Sequence, residues 1–461
     1  VRSVFRYLVF GVVTVTVLVH AISSYAISVA FPQIASSFGA SIVLSGWVLT
    51  VFQMAMIVSI PMAGKASDAL GRKRTFMFFV LVFTVGSFLC AIAPNIYWLI
   101  VFRAIQGAGA GGFVTSATGI VADAFPEKRQ RYIGFLVTVI TAGMVLGPNI
   151  GGWLTQSFGW KSIFWLATPW GIGALIASAV LLKPDRPVKT AAFDIKGAGL
   201  FACALVALMA GLTTLGGDAT KTSWSLAGVA LALGIALVFV FLRHERSASS
   251  PMIEMELLRG KYFAAANMFN LLYGVSLASI FSFLPLYAVS VYGASTLESG
   301  LIVTPNAAGM MGASIVTSFM LVRWGYRWPM VVGAVITILA AVLLALELNG
   351  VVVLGVTLSG VGTMIAVVAL SGLGHGLIVP AANNACIELL PDRVSTISGL
   401  RMTIRIVGQV LGIAIATIVL DNARGLAHGF EIVFFGTAAV TLITIPFAFA
   451  MPRSPSGPAG L

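Results

Sequence analysis

The sequence predicts an all-α integral membrane protein with fourteen transmembrane helices, and three observations carry that expectation. Hydrophobic residues fill 59% of the 461 positions and charged residues only 9%, whereas a soluble chain carries about a quarter of its residues as charges. Apolar runs of about 20 residues, enough to cross ~30 Å of hydrocarbon as helix, recur from end to end. The basic residues gather in alternate loops between those runs. The runs lack two-residue alternation, so helices rather than a closed barrel must satisfy the backbone in lipid.

In chain order the spans are expected at 7–29, 44–63, 75–93, 96–122, 132–156, 161–182, 197–216, 224–242, 263–290, 299–321, 329–347, 362–389, 396–420 and 430–450. The first run has no small-residue cleavage site and many spans follow it, so it reads as a first helix and not a removed signal. With the N-terminus inside, one set of loops and tails holds 21 of the 27 Lys and Arg, from Arg2 and Arg6 to Arg453. The opposite loops hold only Lys161, Lys221 and Arg424. The positive-inside rule then places both termini in the cytoplasm. It also explains the net charge of +12 without a nucleic-acid partner.

Cys90, Cys203 and Cys386 lie in apolar stretches without CxxC spacing, so neither a disulfide nor a metal site is expected. There is no HExxH pair, nucleophile elbow or P-loop. No enzyme activity, metal or cofactor is expected.

The chain repeats itself. Shifted by 265 residues, Asp123, Pro126, Glu127 and Lys128 fall on Glu388, Pro391, Asp392 and Arg393. Gly107, Gly109 and Gly111 fall on Gly372, Gly374 and Gly376, and Gly134, Gly143 and Gly147 on Gly399, Gly408 and Gly412. Gly71 pairs with Gly325 at a shift of 254, so about eleven extra residues lie between Gly325 and Gly372. Two similar six-helix halves follow, at 1–183 and 261–461, with a linker of two inserted helices at 184–260. Halves of this kind enclose a central cavity and rock to give alternating access.

Three motifs stand out. Gly64-Lys-Ala-Ser-Asp68-Ala-Leu-Gly71-Arg72-Lys73-Arg74 separates spans two and three, and its charges can pair and cap helix ends. Arg103-Ala-Ile-Gln106-Gly107-Ala-Gly109 lies inside span four, where an Arg costs about 2.5–3.5 kcal/mol on insertion scales and needs a wet cavity or a partner. Gly143-Met-Val-Leu-Gly147-Pro148-Asn-Ile-Gly151-Gly152 strips one face of span five of side chains, and Pro148 removes a hydrogen bond. These residues resemble the major facilitator superfamily, in particular its fourteen-helix drug:proton antiporter group. Phe283 to Pro305 and Ser398 to Arg405 add to the likeness, which covers nearly the whole chain.

The resemblance implies a monomeric secondary transporter of small molecules in a bacterial cell membrane. It implies a gating role for the first motif, a link between Arg103 and proton transfer, and export for a chain carrying the third. One departure matters. The group's first-span Asp corresponds to Ser23, and no Asp or Glu lies mid-span. His20, on the face of Ser23, and His375, in the place of Ala110 in the other half, titrate near neutrality and are candidates for coupling. Arg405 and Asp123 join them. Arg401 and Arg405 share a helix face, so the interior reads as net positive.

Ser23, Trp47, Met54, Phe269, Tyr273 and Phe281 are candidates to line a substrate cavity. Two functions stay open. One is efflux of amphipathic drugs in exchange for protons. The other is export of a dedicated lipid, metabolite or anionic compound with different coupling.

Overall fold

The computed structural model describes residues 2–182, 194–215, 224–248, 251, 260–348, 352–353, 356–357, 359–388 and 394–451. Fifteen helices carry nearly all of them. The first six are α1 (Arg2–Phe38), α2 (Ile42–Leu70), α3 (Arg72–Ala91), α4 (Ile96–Ala124), α5 (Arg129–Phe158) and α6 (Lys161–Leu181). The inserted pair is α7 (Ile195–Leu215) and α8 (Trp224–Ser247). Then come α9 (Lys261–Phe281), α10 (Leu284–Tyr292), α11 (Thr296–Trp324), α12 (Arg327–Ala345), α13 (Gly360–Glu388), α14 (Val394–Asn422) and α15 (Leu426–Ala450). A two-residue antiparallel hairpin, Val352–Val353 against Val356–Thr357, stands before α13.

Among the described residues, thirteen segments are long and apolar enough to cross a membrane, with α9 and α10 counting as one. The fourteenth expected span is α4. It has 29 residues, but Arg103, Gln106 and five glycines dilute its apolar character. It packs between α2 and α3, so its neighbours, not lipid, meet its polar groups. Elsewhere large apolar side chains stand open, Phe319 at 76% and Val180 at 75%. Such surface is a liability in water and what a bilayer requires.

One expected span is broken. The run predicted as continuous over 263–290 turns at Ser282 and Phe283, and α10 begins with Pro285 in its first turn. Proline offers no N–H and its ring crowds the carbonyl four residues back, and here the helix restarts with Pro285 in the first turn, where neither matters. Tyr287 anchors the new segment: its hydroxyl donates to the Leu344 carbonyl at 2.8 Å, and its ring meets Phe430 and Phe434.

The chain divides into two compact units. One is Val1–Gly211 with Trp224–Met252; the other is Leu212–Ser223 with Ile253–Leu461. At three glycines the two units repeat the same packing. In the first, Gly107 lets α4 lie against the backbone of Phe52, Gly109 against Phe83 and Phe79, and Gly111 against Met56. In the second, Gly372 meets the backbone of Asn306, Gly374 meets Thr337 and Gly333, and Gly376 meets Met310. The glycines are related by the shift of 265, and every partner by the shift of 254. Ala91, the end of α3, falls on Ala345, the end of α12. The additional residues therefore lie between α12 and α13, where the hairpin stands. Lipid gives helices no hydrophobic reason to associate, so close backbone approach at small residues holds each unit together.

The inserted helices are pinned at one end by a cluster that the sequence reading passed over. Asp194 accepts from the Gly197 amide at 2.8 Å, capping α7, and from His244 Nε2 of α8 at 2.8 Å. Glu245 beside them is only 2% exposed, and Lys65 of α2 donates to the Pro251 carbonyl at 3.4 Å. Burial pushes the Asp194 carboxyl up, but the Gly197 amide, His244 and Glu245 outweigh it and hold it below the ordinary value. A depressed carboxyl stabilises the fold above its unfolded pKa, about 3.9, and that stability is lost as pH falls through the folded value. Asp194→Ala is expected to cost about 1 kcal/mol at neutral pH and to flatten this acid limb. Hydrogen exchange of the first-turn amides of α7, followed from pH 7 downwards, checks both.

Candidate functional site

The first motif is built around Gly71, whose φ of 94° is open to glycine and strained for other residues. It ends α2 and starts α3 in a single residue. Arg72 then turns toward α4: its Nε lies 2.7 Å from Asp123 Oδ2, and its guanidinium occupies the space left by Gly119. Lys73 donates to the carbonyls of Ala179, at 2.7 Å, and Leu182, closing the end of α6. Gly64 lies against Thr115 of α4. The side chain of Asp68 lies outside the described residues, as does that of Glu388, the expected neighbour of Arg401. Asp123 belongs to this junction and is 62% exposed; it does not stand beside the mid-span candidates for coupling.

Arg103 is 2% exposed and surrounded by acceptors. Its Nε donates to the Val48 carbonyl at 3.0 Å and an Nη to Gln106 Oε1 at 2.6 Å. Gln106 passes the chain on to Ser87 Oγ at 2.8 Å. The Phe52 ring lies 4.1 Å from the guanidinium carbon. Hydrogen bonds to a charge contribute about 1.5–3 kcal/mol each, enough to offset the insertion cost. The expectation of a partner is met by a backbone carbonyl and an amide, with no carboxylate paired to it among the described residues.

His20 is held by aromatic rings. It stacks on Phe52 at 6.1 Å and takes the edges of Phe83 and Phe113 at 5.6 and 5.2 Å. Its Nδ1 is 3.3 Å from Ser24 Oγ, one turn on. Ser23 Oγ is buried without a hydrogen-bond partner. The third motif packs α5 on α1 directly below: a side chain at Gly143, Gly147 or Gly151 would strike Ala21, Tyr25 or Ala26. Pro148 lies inside α5, and Gly152 is buried beside Gly151. Of the cavity candidates in this unit, Met54 is buried and Trp47 half-buried.

The second unit differs. Phe269 and Tyr273 belong to its core together with Tyr326 and Met330, and Phe281 is 7% exposed. These aromatics are packing residues as well as cavity candidates. His375 lies edge-on to Tyr273 at 5.6 Å, and both its ring nitrogens are buried without a partner. The Tyr273 hydroxyl and the Nε atoms of Arg401 and Arg405 are in the same condition. Both guanidinium charges act on Tyr273. Asn270, one turn before Tyr273, bonds the Ala266 carbonyl and Cys386 Sγ. The sequence reading missed Asn270 and Ser87, and it named Gln106 within the second motif without giving it a role; polar residues in spans with no acidic neighbour were the available signal. Among the described residues, no group of His, Cys, Asp and Glu could hold a metal ion.

Comparison with known proteins decides the family. Residues 13–363 match the Major Facilitator Superfamily profile. The chain belongs to the major facilitator superfamily. Residues 272–456 also match the profile described as sugar (and other) transporter. The superfamily member is 31% identical over 399 residues to a multidrug resistance protein B homolog of Mycobacterium tuberculosis, covering 86% of this chain and 72% of that one. It is 28% identical to the tetracenomycin C resistance and export protein of Streptomyces glaucescens, covering 90% and 76%.

Among solved structures, a bacterial homologue of the human drug peptide transporters PepT1 and PepT2 superposes with a TM-score of 0.66 at 17% identity, covering 96% and 98%. A bacterial homologue of the lysosomal transporter Spinster gives 0.65 at 17%, covering 96% of each chain. At these identities the structures show the fold alone. The protein is a multi-pass membrane transporter of small molecules, with an all-α major facilitator fold.

Proposed function

We propose that this transporter exports amphipathic, drug-like compounds by alternating access in exchange for protons, with both termini in the cytoplasm. The carrying observation is the bare face of α5, where Gly143, Gly147 and Gly151 bring it onto the backbone of α1. That face carries the motif that resembles the exporters of the group, and relatives named for multidrug resistance and tetracenomycin C export support the reading. Arg72, Asp123 and Lys73 tie three helix ends together around Gly71; in this reading they are a latch that holds one conformation and releases in the other.

Proton exchange needs a group that titrates inside the membrane, and first-span Ser23 cannot supply it. His375 is the better of the two candidates. Both of its nitrogens lack partners, whereas His20 has Ser24 and three rings around it. In proteoliposomes with an imposed pH gradient, His375→Ala is expected to remove gradient-driven transport and keep downhill exchange, with His20→Ala the milder. Gradient-driven transport at wild-type rates in both variants would end the histidine proposal.

A further inference from the structure

We propose that the second unit carries an oxyanion-binding site at Arg401, Arg405, Tyr273 and His375, so that the preferred substrates are amphipathic anions. This deepens the exporter reading and rests on it for the word substrate; the binding site itself does not.

Four side chains from three helices supply donors. Arg401 and Arg405 sit one turn apart on α14, so their guanidinium groups share a face. The Nε of each is buried without a partner, as are the Tyr273 hydroxyl of α9 and both ring nitrogens of His375 on α13. The two cations lie near enough for each to act on Tyr273, and Arg405 acts on Arg401. Among the described residues neither arginine is in an ion pair. Both side chains are half-buried; a charge drawn out of water without a partner is destabilising, and two like charges one turn apart add repulsion. An oxyanion removes both costs at once, since a guanidinium fork and a phenol hydroxyl match carboxylate, sulfonate or phosphate oxygens.

The internal repeat shows that the fold does not need these cations. At the shift of 265, Arg401 and Arg405 correspond to Leu136 and Ile140 of α5, and His375 to Ala110. The first unit builds the same helix packing with apolar residues there. It also contains a buried arginine that is structural, and that one looks different: Arg103 has the Val48 carbonyl, Gln106 and the Phe52 face. Among the described residues the Nε atoms of the α14 arginines have no such partners. Phe269, nearly parallel to Tyr273 at 13° and 6.3 Å, puts an apolar wall behind the donors. An acid group on a flat apolar body suits the place, and a lipophilic cation does not.

The test uses purified full-length protein in neutral detergent, with carboxyfluorescein as the anionic probe read by fluorescence anisotropy. Binding is expected, with no competition from ethidium. Arg401→Gln and Arg405→Gln should each weaken it by at least about tenfold, the worth of one hydrogen bond to a charge. Tyr273→Phe keeps the ring packing and removes one donor, so a loss of several fold in a monodisperse variant separates binding from misfolding. Short-chain phosphatidylglycerol, compared with phosphatidylcholine, tells a lipid headgroup from a free acid as the oxyanion; displacement by the former alone assigns the headgroup.

No carboxyfluorescein binding, or binding that the arginine variants and Tyr273→Phe all retain, overturns the site. Proteoliposomes separate the two readings. Transport of ethidium without anion binding removes the anion site and leaves export standing. Anion binding through these residues with neither dye moved keeps the site and removes export.

Discussion

Gly107→Val is expected to leave little folded protein, with a loss of about 3 kcal/mol, the upper end of the usual cost of overpacking. A side chain at Gly107 would run into the carbonyl and Cα of Phe52. The obstacle is main chain inside α2, which cannot change rotamer, so α4 must move away. That displacement would also pull Arg103 from the Val48 carbonyl, which lies one turn along α2 from Phe52. Gly372→Val should fail in the same way against Asn306. Gly436→Val, where nothing lies within 4 Å, serves as the control. Size-exclusion profiles and thermal melts of the three variants decide the matter, and a monodisperse Gly107→Val with an unchanged midpoint would refute the packing argument.

Arg103→Met should be nearly as damaging. Methionine has the length but no donors, so the Val48 carbonyl gains nothing in exchange and Gln106 Oε1 loses its charge-assisted bond. Two such bonds contribute about 1.5–3 kcal/mol each. Relief of the buried charge returns part of that, leaving a net loss of about 2–4 kcal/mol. Arg103→Lys tests the geometry. A single ammonium cannot present a rigid fork to two acceptors on different helices, so the charge survives while the network is broken. Transport should fall in both variants, with a larger drop in melting temperature for methionine. Wild-type transport in Arg103→Lys would mean that charge alone matters at this position.

Much of the fold was legible in the sequence because membranes impose it. A span must be long and apolar, and a repeat leaves its glycines at fixed shifts. What stayed hidden shows where such signals stop. Helix α4 stood out through its arginine and glycines, yet those same residues make it the least lipid-like span. The break before α10 was marked by Pro285, but the surrounding apolar run spoke for one helix. A partner of Arg72 is Asp123, 51 positions on, brought there by the packing of α3 on α4 and announced by nothing in the motif itself.

The acceptor for Arg103 is a backbone carbonyl 55 positions away, which no residue type announces. Asp194 could have been found. An Asp directly before an apolar run is a helix-capping signature, and three residues further on Gly197 supplies the amide.

The extra residues between α12 and α13 are a difference in length that the two halves already tolerate. One half absorbed about eleven residues between Ala345 and Gly360 while the helices on both sides kept their pairing with the other half. The junction is thus a tolerant seam in an otherwise tightly registered bundle. An epitope or fluorescent reporter placed in it would ride on the transporter without entering the helix packing, and the matching turn between α3 and α4, at Ile92 to Asn95, has no such slack.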